Sequence, residues 1–147
     1  MESLGASLGM KFHHVGVAVK SIDDALVYYR DIFGFEQISD SINVEPEDVR
    51  VCFIRAEPGV LIELVEGIGE SSPVREILDR FTAGAYHICY QVDDLDHAIG
   101  ELRAHRCRPF RRFEVDTPGP SRFAFLLTPD RQLFELCEAP EAVGKES

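Results

Sequence analysis

The sequence predicts an α+β fold of two tandem βαβββ modules that form a curled sheet around a cavity. The first observation is an internal repeat: the stretch around His14 recurs around His87, and Leu61 to Leu64 recurs as Leu133 to Leu136. The second is that each copy reads strand, helix, strand, strand, strand. A fixed period of this size indicates repeated half-domains, and a sheet with helices on one side only leaves its other face uncovered.

The repeat also sets the expected boundaries. At 147 residues the chain is long enough for a single domain, predicted over 11–137. Its half-modules cover 11–66 and 84–137, joined by a linker helix over 72–82. The ends of a chain are ordered only where they are tied down. The remaining residues, 1–10 and 138–147, are therefore predicted to be flexible termini.

The first half opens with a strand over 11–19 that places His14 on the face with the smaller side chains. Ser21 and Asp24 then make a capping-box-like start for an amphipathic helix that ends at Gly34. An edge strand and an acidic loop follow, and a Glu-Pro-Gly turn joins the last two strands. The expected ranges are 35–42 for the edge strand, 43–48 for the loop, and 49–56 and 60–65 for the last two strands.

The second half repeats this order. The strand that carries His87 leads to a helix capped by Asp94, with apolar residues at helical spacing. Three strands complete the half, and the first two are separated by a proline-rich loop. These strands are predicted over 109–115, 122–127 and 132–137.

The bulk properties exclude several classes of partner. A formal net charge of -11 argues against nucleic acid or an anionic membrane surface as the main partner. No apolar stretch is long enough to span a membrane, and the first ten residues lack the features of a secretory signal. The cysteines lack paired spacing, which favours reduced packing residues in a cytoplasmic protein: Cys52, Cys89, Cys107 and Cys137.

Two histidines and two glutamates occupy matching places in the two copies: His14, His87, Glu63 and Glu135. Taken singly, each has an ordinary explanation as a solvated strand residue or a hydrogen-bonded histidine. Together, a pseudo-two-fold axis would bring all four towards the cavity, where a carboxylate among apolar neighbours is costly unless it is paired or binds a metal. The pattern therefore predicts a site for a divalent ion such as Co²⁺, Mn²⁺, Ni²⁺ or Zn²⁺.

An octahedral ion on four such ligands keeps two adjacent positions for water or substrate, as catalytic sites do. The other histidines have no partner in the repeat and are interpreted as structural: His13, His97 and His105.

The paired halves resemble the vicinal-oxygen-chelate superfamily from Phe12 to Glu138. This superfamily includes glyoxalase I, extradiol dioxygenases, fosfomycin-resistance proteins and methylmalonyl-CoA epimerases. The runs from Ser72 to Asp93, His14 to Val19 and Leu61 to Leu64 are most similar to the epimerases. The resemblance implies a homodimer with His14, Glu63, His87 and Glu135 as the metal ligands. Two segments depart from the epimerase pattern, which bears on contacts with the acyl or CoA group: Thr117 to Ser121 and Thr128 to Asp130.

The same resemblance implies epimerisation of an acyl-CoA thioester such as methylmalonyl-CoA, by removal of the α-proton to give a metal-stabilised enolate. It suggests Glu47 as the base on one face and Glu135 as the base on the other. Glu45 stays open as an alternative to Glu47, as does a merely solvated acidic loop. An arginine cluster from Arg103 to Arg112 either binds CoA phosphates or reflects the preference of helix C-termini for cations.

Other functions within the superfamily stay open. A glyoxalase I-like lactoylglutathione lyase uses the same ligand types, but its pattern has an Arg and an Asn where this sequence has Ala18 and Gly67. A biosynthetic isomerase or lyase of the same fold would have the same ligands. A non-catalytic drug-binding resistance protein typically lacks the full set. Extradiol dioxygenases need only two histidines and one carboxylate.

Overall fold

The structure is a computed structural model, and it describes residues 2–69, 72, 74, 75, 78, 84–115 and 119–140. These residues group into two compact units. The first unit is His13–Ile88, and the second combines Met1–Phe12 with Cys89–Ser147. Strands dominate and helices are short, so the predicted α+β class is confirmed. The predicted linker helix over 72–82 lies mostly outside the described residues, and the single-domain boundary at 11–137 stays a prediction.

In chain order the elements are α1 (Leu4–Ser7), β1 (Lys11–Val19), α2 (Ile22–Leu26), a π-helical stretch (Val27–Ile32), β2 (Glu36–Gln37), β3 (Ile42–Val44), a 3-10 turn (Glu45–Glu47), β4 (Val49–Glu57), β5 (Val60–Gly67), β6 (Gly84–Val92), α3 (Leu95–Ala104), β7 (Arg108–Glu114), β8 (Arg122–Leu127) and β9 (Leu133–Glu138). Most of the strands predicted from alternation are found within one or two residues of their expected bounds. No helix in the described part of the chain is both long and apolar enough to cross a bilayer.

The first unit contains a sheet in the order β2-β4-β5-β1-β6, with β3 also paired to β4. β1 and β5 are parallel, and Gly16 lies opposite Glu63 in their register. β4 and β5 are antiparallel, and Phe53 lies opposite the same glutamate. The apolar side of α2 packs on this sheet, with Ile22 and Leu26 among the buried residues of the cluster. Glu63 therefore lies between two neighbours of very different size.

The helix predicted to run to Gly34 changes its geometry part of the way along. Its start is as expected, because the Asp24 backbone N–H donates to Ser21 Oγ at 3.2 Å. From Val27 the turns widen, and the Phe33 N–H donates to the Tyr28 carbonyl at 2.7 Å, five residues back. An aromatic cluster accompanies the wider turns, since the Tyr29 ring lies within 5.9 Å of the Phe33 and Phe35 rings. Apolar periodicity alone does not distinguish the two helix types.

The single edge strand predicted over 35–42 is wrong. It is replaced by the short β2 and β3, which pair separately with β4. The acidic loop is also more regular than expected, because β3 leads directly into the 3-10 turn. Asp48 ends this turn in the left-handed conformation, with a φ of 55°. Asp and Asn adopt this conformation more readily than most residues do.

The second unit contains a sheet in the order β6-β9-β8-β7, with α3 packed on it. Asp94 caps α3 as predicted, because its Oδ1 accepts from the His97 N–H at 3.0 Å. The N-terminus differs from the flexible leader predicted over 1–10. α1 forms there, and Leu8 is buried in the core of this unit, where its carbonyl accepts from the Asp93 N–H. The spacing of Leu4, Leu8 and Met10 is too short to reveal this packing from the sequence.

A glutamate at the end of a strand caps a helix in each unit. Glu66 Oε1 accepts from the Ile22 N–H at 2.7 Å, and Glu138 Oε2 accepts from the Leu95 N–H at 2.8 Å. Glu138 also accepts from Arg122 at 3.1 Å. A carboxylate at a helix N-terminus satisfies an otherwise unpaired donor and interacts favourably with the helix dipole. The chain beyond 137 is therefore tied down at its first residue, in contrast to the predicted frayed tail.

Replacing Glu138 by Ala is expected to lower the free energy of unfolding by about 1.5–3 kcal/mol, because hydrogen bonds to a charged group contribute that much. Urea denaturation of the variant measures the change. Glu114→Ala is the matched control, since Glu114 is 79% exposed and lies 3.9 Å from the same arginine. An equal loss in both variants would contradict a specific capping role for Glu138.

Candidate metal centre

Three of the predicted ligand side chains converge within the first unit. His14 Nε2 lies 3.1 Å from His87 Nε2, and each of these nitrogens lies 3.5 Å from Glu63 Oε1. The two histidines are 1% and 5% exposed, and the glutamate is partly buried. Three donor atoms from three strands therefore face one another in a largely buried place.

The local sequence explains how the rings approach. β1 lies between β5 and β6, so it separates the strand of Glu63 from the strand of His87. The His87 ring lies directly against Gly16 of β1. A Cβ at this position would come 2.3 Å from His87 Cε1 and 2.6 Å from its Nδ1, far inside van der Waals contact. The absence of a side chain at position 16 lets the imidazole lie directly on the backbone of β1.

The donor set fits a divalent cation. Bonds of about 2.0–2.2 Å place adjacent ligands on a tetrahedral or octahedral ion about 2.8–3.6 Å apart. The three observed separations lie in that range, and the three donor atoms fall within 4.8 Å of one another. Two imidazoles with a carboxylate are ligands of Zn²⁺, Co²⁺, Ni²⁺ and Mn²⁺ sites.

Two further side chains contact His14. The Phe53 ring meets it edge to face, with the ring centroids 5.5 Å apart. His13 Nδ1 lies 2.8 Å from His14 Nδ1, so the two imidazoles are within hydrogen-bond distance. Sequence reasoning missed His13, because the repeat places Tyr86 at the matching position and offers no second histidine.

The two glutamates of the acidic turn, which the sequence left as alternative bases, differ in burial. Glu47 is 4% exposed, whereas Glu45, two residues earlier, is exposed. The left-handed residue Asp48 directly after the turn leads the chain into β4. Burial of a carboxylate requires compensation that an exposed loop residue does not need. Of the two, Glu47 is therefore the one held inside the protein.

Glu135 belongs to the second unit and is also 4% exposed. It lies on β9 opposite Phe125 of β8. Burial raises the pKa of the Cys89 thiol well above its usual range, and the neighbouring Cys137 and Glu135 raise it further. Cys89 is therefore a protonated thiol at neutral pH. All four cysteines are free, and none forms a disulfide bond.

At least one member of the arginine cluster forms an ion pair within the second unit. Arg112 lies 2.7 Å from Asp96, and Arg122 lies 3.1 Å from the same carboxylate. Hydrogen bonds from these arginines hold the pKa of Asp96 below its usual range. Arg106 is left-handed, with a φ of 69°, just after α3. These contacts give Arg112 a structural role, and phosphate binding by the cluster stays a prediction.

Comparisons with known proteins agree on one family. A family model described as the Glyoxalase/Bleomycin resistance/Dioxygenase superfamily matches residues 13–125, a range that includes Glu47 and the three converging ligands. The mitochondrial methylmalonyl-CoA epimerase of Dictyostelium discoideum is 31% identical over 99 residues, which cover 67% of this chain and 58% of that protein. The match thus spans less than two thirds of that relative.

Two further proteins show the same likeness. An ethylmalonyl-CoA/methylmalonyl-CoA epimerase of Cereibacter sphaeroides is 35% identical over 94 residues, covering 63% of this chain and 69% of that protein. The crystal structure of methylmalonyl-CoA epimerase from Mycobacterium tuberculosis superposes with a TM-score of 0.75 at 27% identity. That superposition covers 88% of this chain and 87% of the other.

Proposed function

The chain belongs to the Glyoxalase/Bleomycin resistance/Dioxygenase superfamily, and from that premise we propose that it is an isomerase acting on an acyl-CoA thioester. The substrate class is a 2-substituted malonyl-CoA such as methylmalonyl-CoA, and the reaction inverts its α-carbon. The convergence of His14, Glu63 and His87 on one point is the observation that carries the proposal. The names of the relatives support the substrate class.

Four residues would hold a divalent cation: His14, Glu63, His87 and, from the second unit, Glu135. Glu63 would supply a charged carboxylate, Glu135 would bind through a carboxyl group that also carries the proton it returns to the substrate, and the two imidazoles would remain neutral. When bound, the cation would supply a Lewis acid that polarises carbonyl oxygens of the substrate. Its identity among cobalt, manganese, nickel and zinc is set by metal availability as well as by these ligands.

The chain's own residues would move the proton. Glu47, as a carboxylate, would remove the α-proton, and the electron pair of the broken C–H bond would pass into the bond between the α-carbon and the thioester carbonyl. An acid on the opposite face would then return a proton to the α-carbon, and we assign this role to Glu135. Reversal of the two roles gives the reverse reaction. Each carboxylate is buried within its own unit, and a buried carboxylate requires compensation that a solvated surface residue does not need, which supports a role for both.

The proposal includes the assembly and the location. We propose a cytoplasmic homodimer whose partner molecule is the acyl-CoA thioester, with no nucleic acid and no membrane involved. The free cysteines support a reducing compartment, because disulfides are rare there. The net charge of -11 supports the exclusion of nucleic acid.

Deuterium uptake at the α-carbon of methylmalonyl-CoA in D₂O, followed by NMR, tests the function. Protein stripped with a chelator and reloaded with Co²⁺ is expected to catalyse the exchange, and the stripped protein is expected to lose it. The free thioester without protein gives the background rate. Exchange at the background rate with each of the four metals would contradict the epimerase proposal.

A further inference from the structure

We infer that His13 is a positioning residue that holds the His14 imidazole in the tautomer able to bind a cation. The inference deepens the proposed function, because it concerns the metal centre on which that function rests. It is carried by the contact between two ring nitrogens, His13 Nδ1 and His14 Nδ1, at 2.8 Å.

The two nitrogens of His14 face different partners. Its Nε2 faces His87 and Glu63, at 3.1 Å and 3.5 Å, and its Nδ1 faces His13. A neutral imidazole carries one N–H donor and one lone-pair acceptor. For Nε2 to offer its lone pair to a cation, the hydrogen must therefore reside on Nδ1. The position of the hydrogen on one nitrogen of His14 therefore determines whether the other nitrogen can bind a cation.

His13 is placed to stabilise that tautomer by accepting a hydrogen bond from it. With the hydrogen of His14 on Nδ1, the N–H donates to the lone pair of His13 Nδ1, and the hydrogen of His13 resides on its own Nε2. The opposite tautomer of His14 would set two lone pairs against each other at 2.8 Å, unless His13 also reversed its tautomer. Histidine ligands of metals commonly donate their second N–H to such a partner, which fixes the ring orientation and raises the basicity of the ligand.

Burial makes the partner difficult to replace. His14 is 1% exposed, so bulk water does not reach its ring freely. Removing one partner of a buried polar group leaves the other with its full desolvation cost. The Phe53 ring contacts the same imidazole edge to face, so part of the His14 ring is packed against an apolar group rather than against water.

Cobalt titration followed by visible absorbance tests the inference in two matched variants. His13→Leu removes the acceptor, and His13→Asn keeps an acceptor oxygen near the position of Nδ1. We expect the Leu variant to bind Co²⁺ about 10–100-fold more weakly than the wild type, the usual effect of losing such a partner. The Asn variant is expected to bind close to the wild-type affinity. Equal affinities of the wild-type protein and the Leu variant would overturn the inference.

A second measurement is independent of any variant. Nitrogen-15 NMR of the metal-free wild-type protein reports which ring nitrogen of each histidine carries hydrogen. We expect His14 protonated at Nδ1 and His13 at Nε2, and the reverse assignment for His14 would contradict the inference. Cobalt binding without α-proton exchange would contradict the epimerase proposal and leave the role of His13 intact, so the two failures are distinguishable.

Discussion

Replacing Glu47 by Gln is expected to slow α-proton exchange, from the epimer whose hydrogen faces Glu47, by about 10²–10⁴-fold, the usual contribution of a positioned general base. Gln has nearly the same shape as Glu but does not accept a proton at neutral pH. The affinity for Co²⁺ is expected to be unchanged, because Glu47 is not among the residues assigned to hold the metal. Exchange measured in D₂O, together with cobalt titration of the same preparation, separates loss of the base from loss of the metal.

Glu45→Gln is the matched control, since both glutamates lie in the same 3-10 turn and only Glu47 is buried. We expect this variant to exchange at the wild-type rate. Equal loss in both variants would indicate that the charge of the turn matters rather than one carboxylate. Normal exchange in both would show that this turn provides no base.

The repeat is the reason why so much of the site could be predicted from sequence. His14 and Glu63 are far apart in the chain, yet each has a counterpart at a nearly constant shift, so the symmetry of the two halves is enough to single them out. The structure places His14, Glu63 and His87 together within one unit. Their role as ligands, and that of Glu135, is still a prediction that metal binding must test.

The features that were missed lack a repeated signal or a periodic one. His13 matches a tyrosine in the other half, so the repeat gives no sign that it belongs to the site. The widened helical turns after Leu26 keep an apolar spacing close to that of an α-helix, and an aromatic cluster packs beside them. Leu8 belongs to a segment too short for its burial to be read from pattern alone. Tertiary packing decides each of these cases.

Glu66 and Glu138 form an intermediate case. They stand at matching positions of the repeat, so a signal was present in the sequence. The functional interpretation was given instead to Glu63 and Glu135, the predicted metal ligands three residues earlier. The structure shows that the later pair binds helix N-termini through Ile22 and Leu95. One repeated strand thus carries a candidate site residue and a structural cap three residues apart.

Gly16→Ala is expected to weaken Co²⁺ binding by about 5- to 150-fold, although residue 16 offers no ligand atom. The new methyl group would lie 2.3 Å from His87 Cε1, so the ring or the backbone of β1 must move. Because His87 is buried, its ring is packed on other sides as well, and either movement changes the separation from His14. Overpacking of this kind costs about 1–3 kcal/mol, and where the metal-free protein relieves it by moving the ring but the metal-bound arrangement must bear it, the affinity falls by that range.

Gly100→Ala is the control for this substitution. Gly100 lies in α3, and a Cβ there would meet nothing within 4 Å, so the variant should be up to about 1 kcal/mol more stable with unchanged cobalt affinity. Thermal unfolding of both metal-free variants shows whether Gly16→Ala acts on the whole fold or on the site. Wild-type cobalt affinity in a folded Gly16→Ala protein would mean that the position of His87 on β1 is not what prepares the site for a cation. A loss of cobalt affinity with little loss of stability would show that the absence of a side chain at position 16 is needed for cation binding at this centre, in addition to the donor atoms around it.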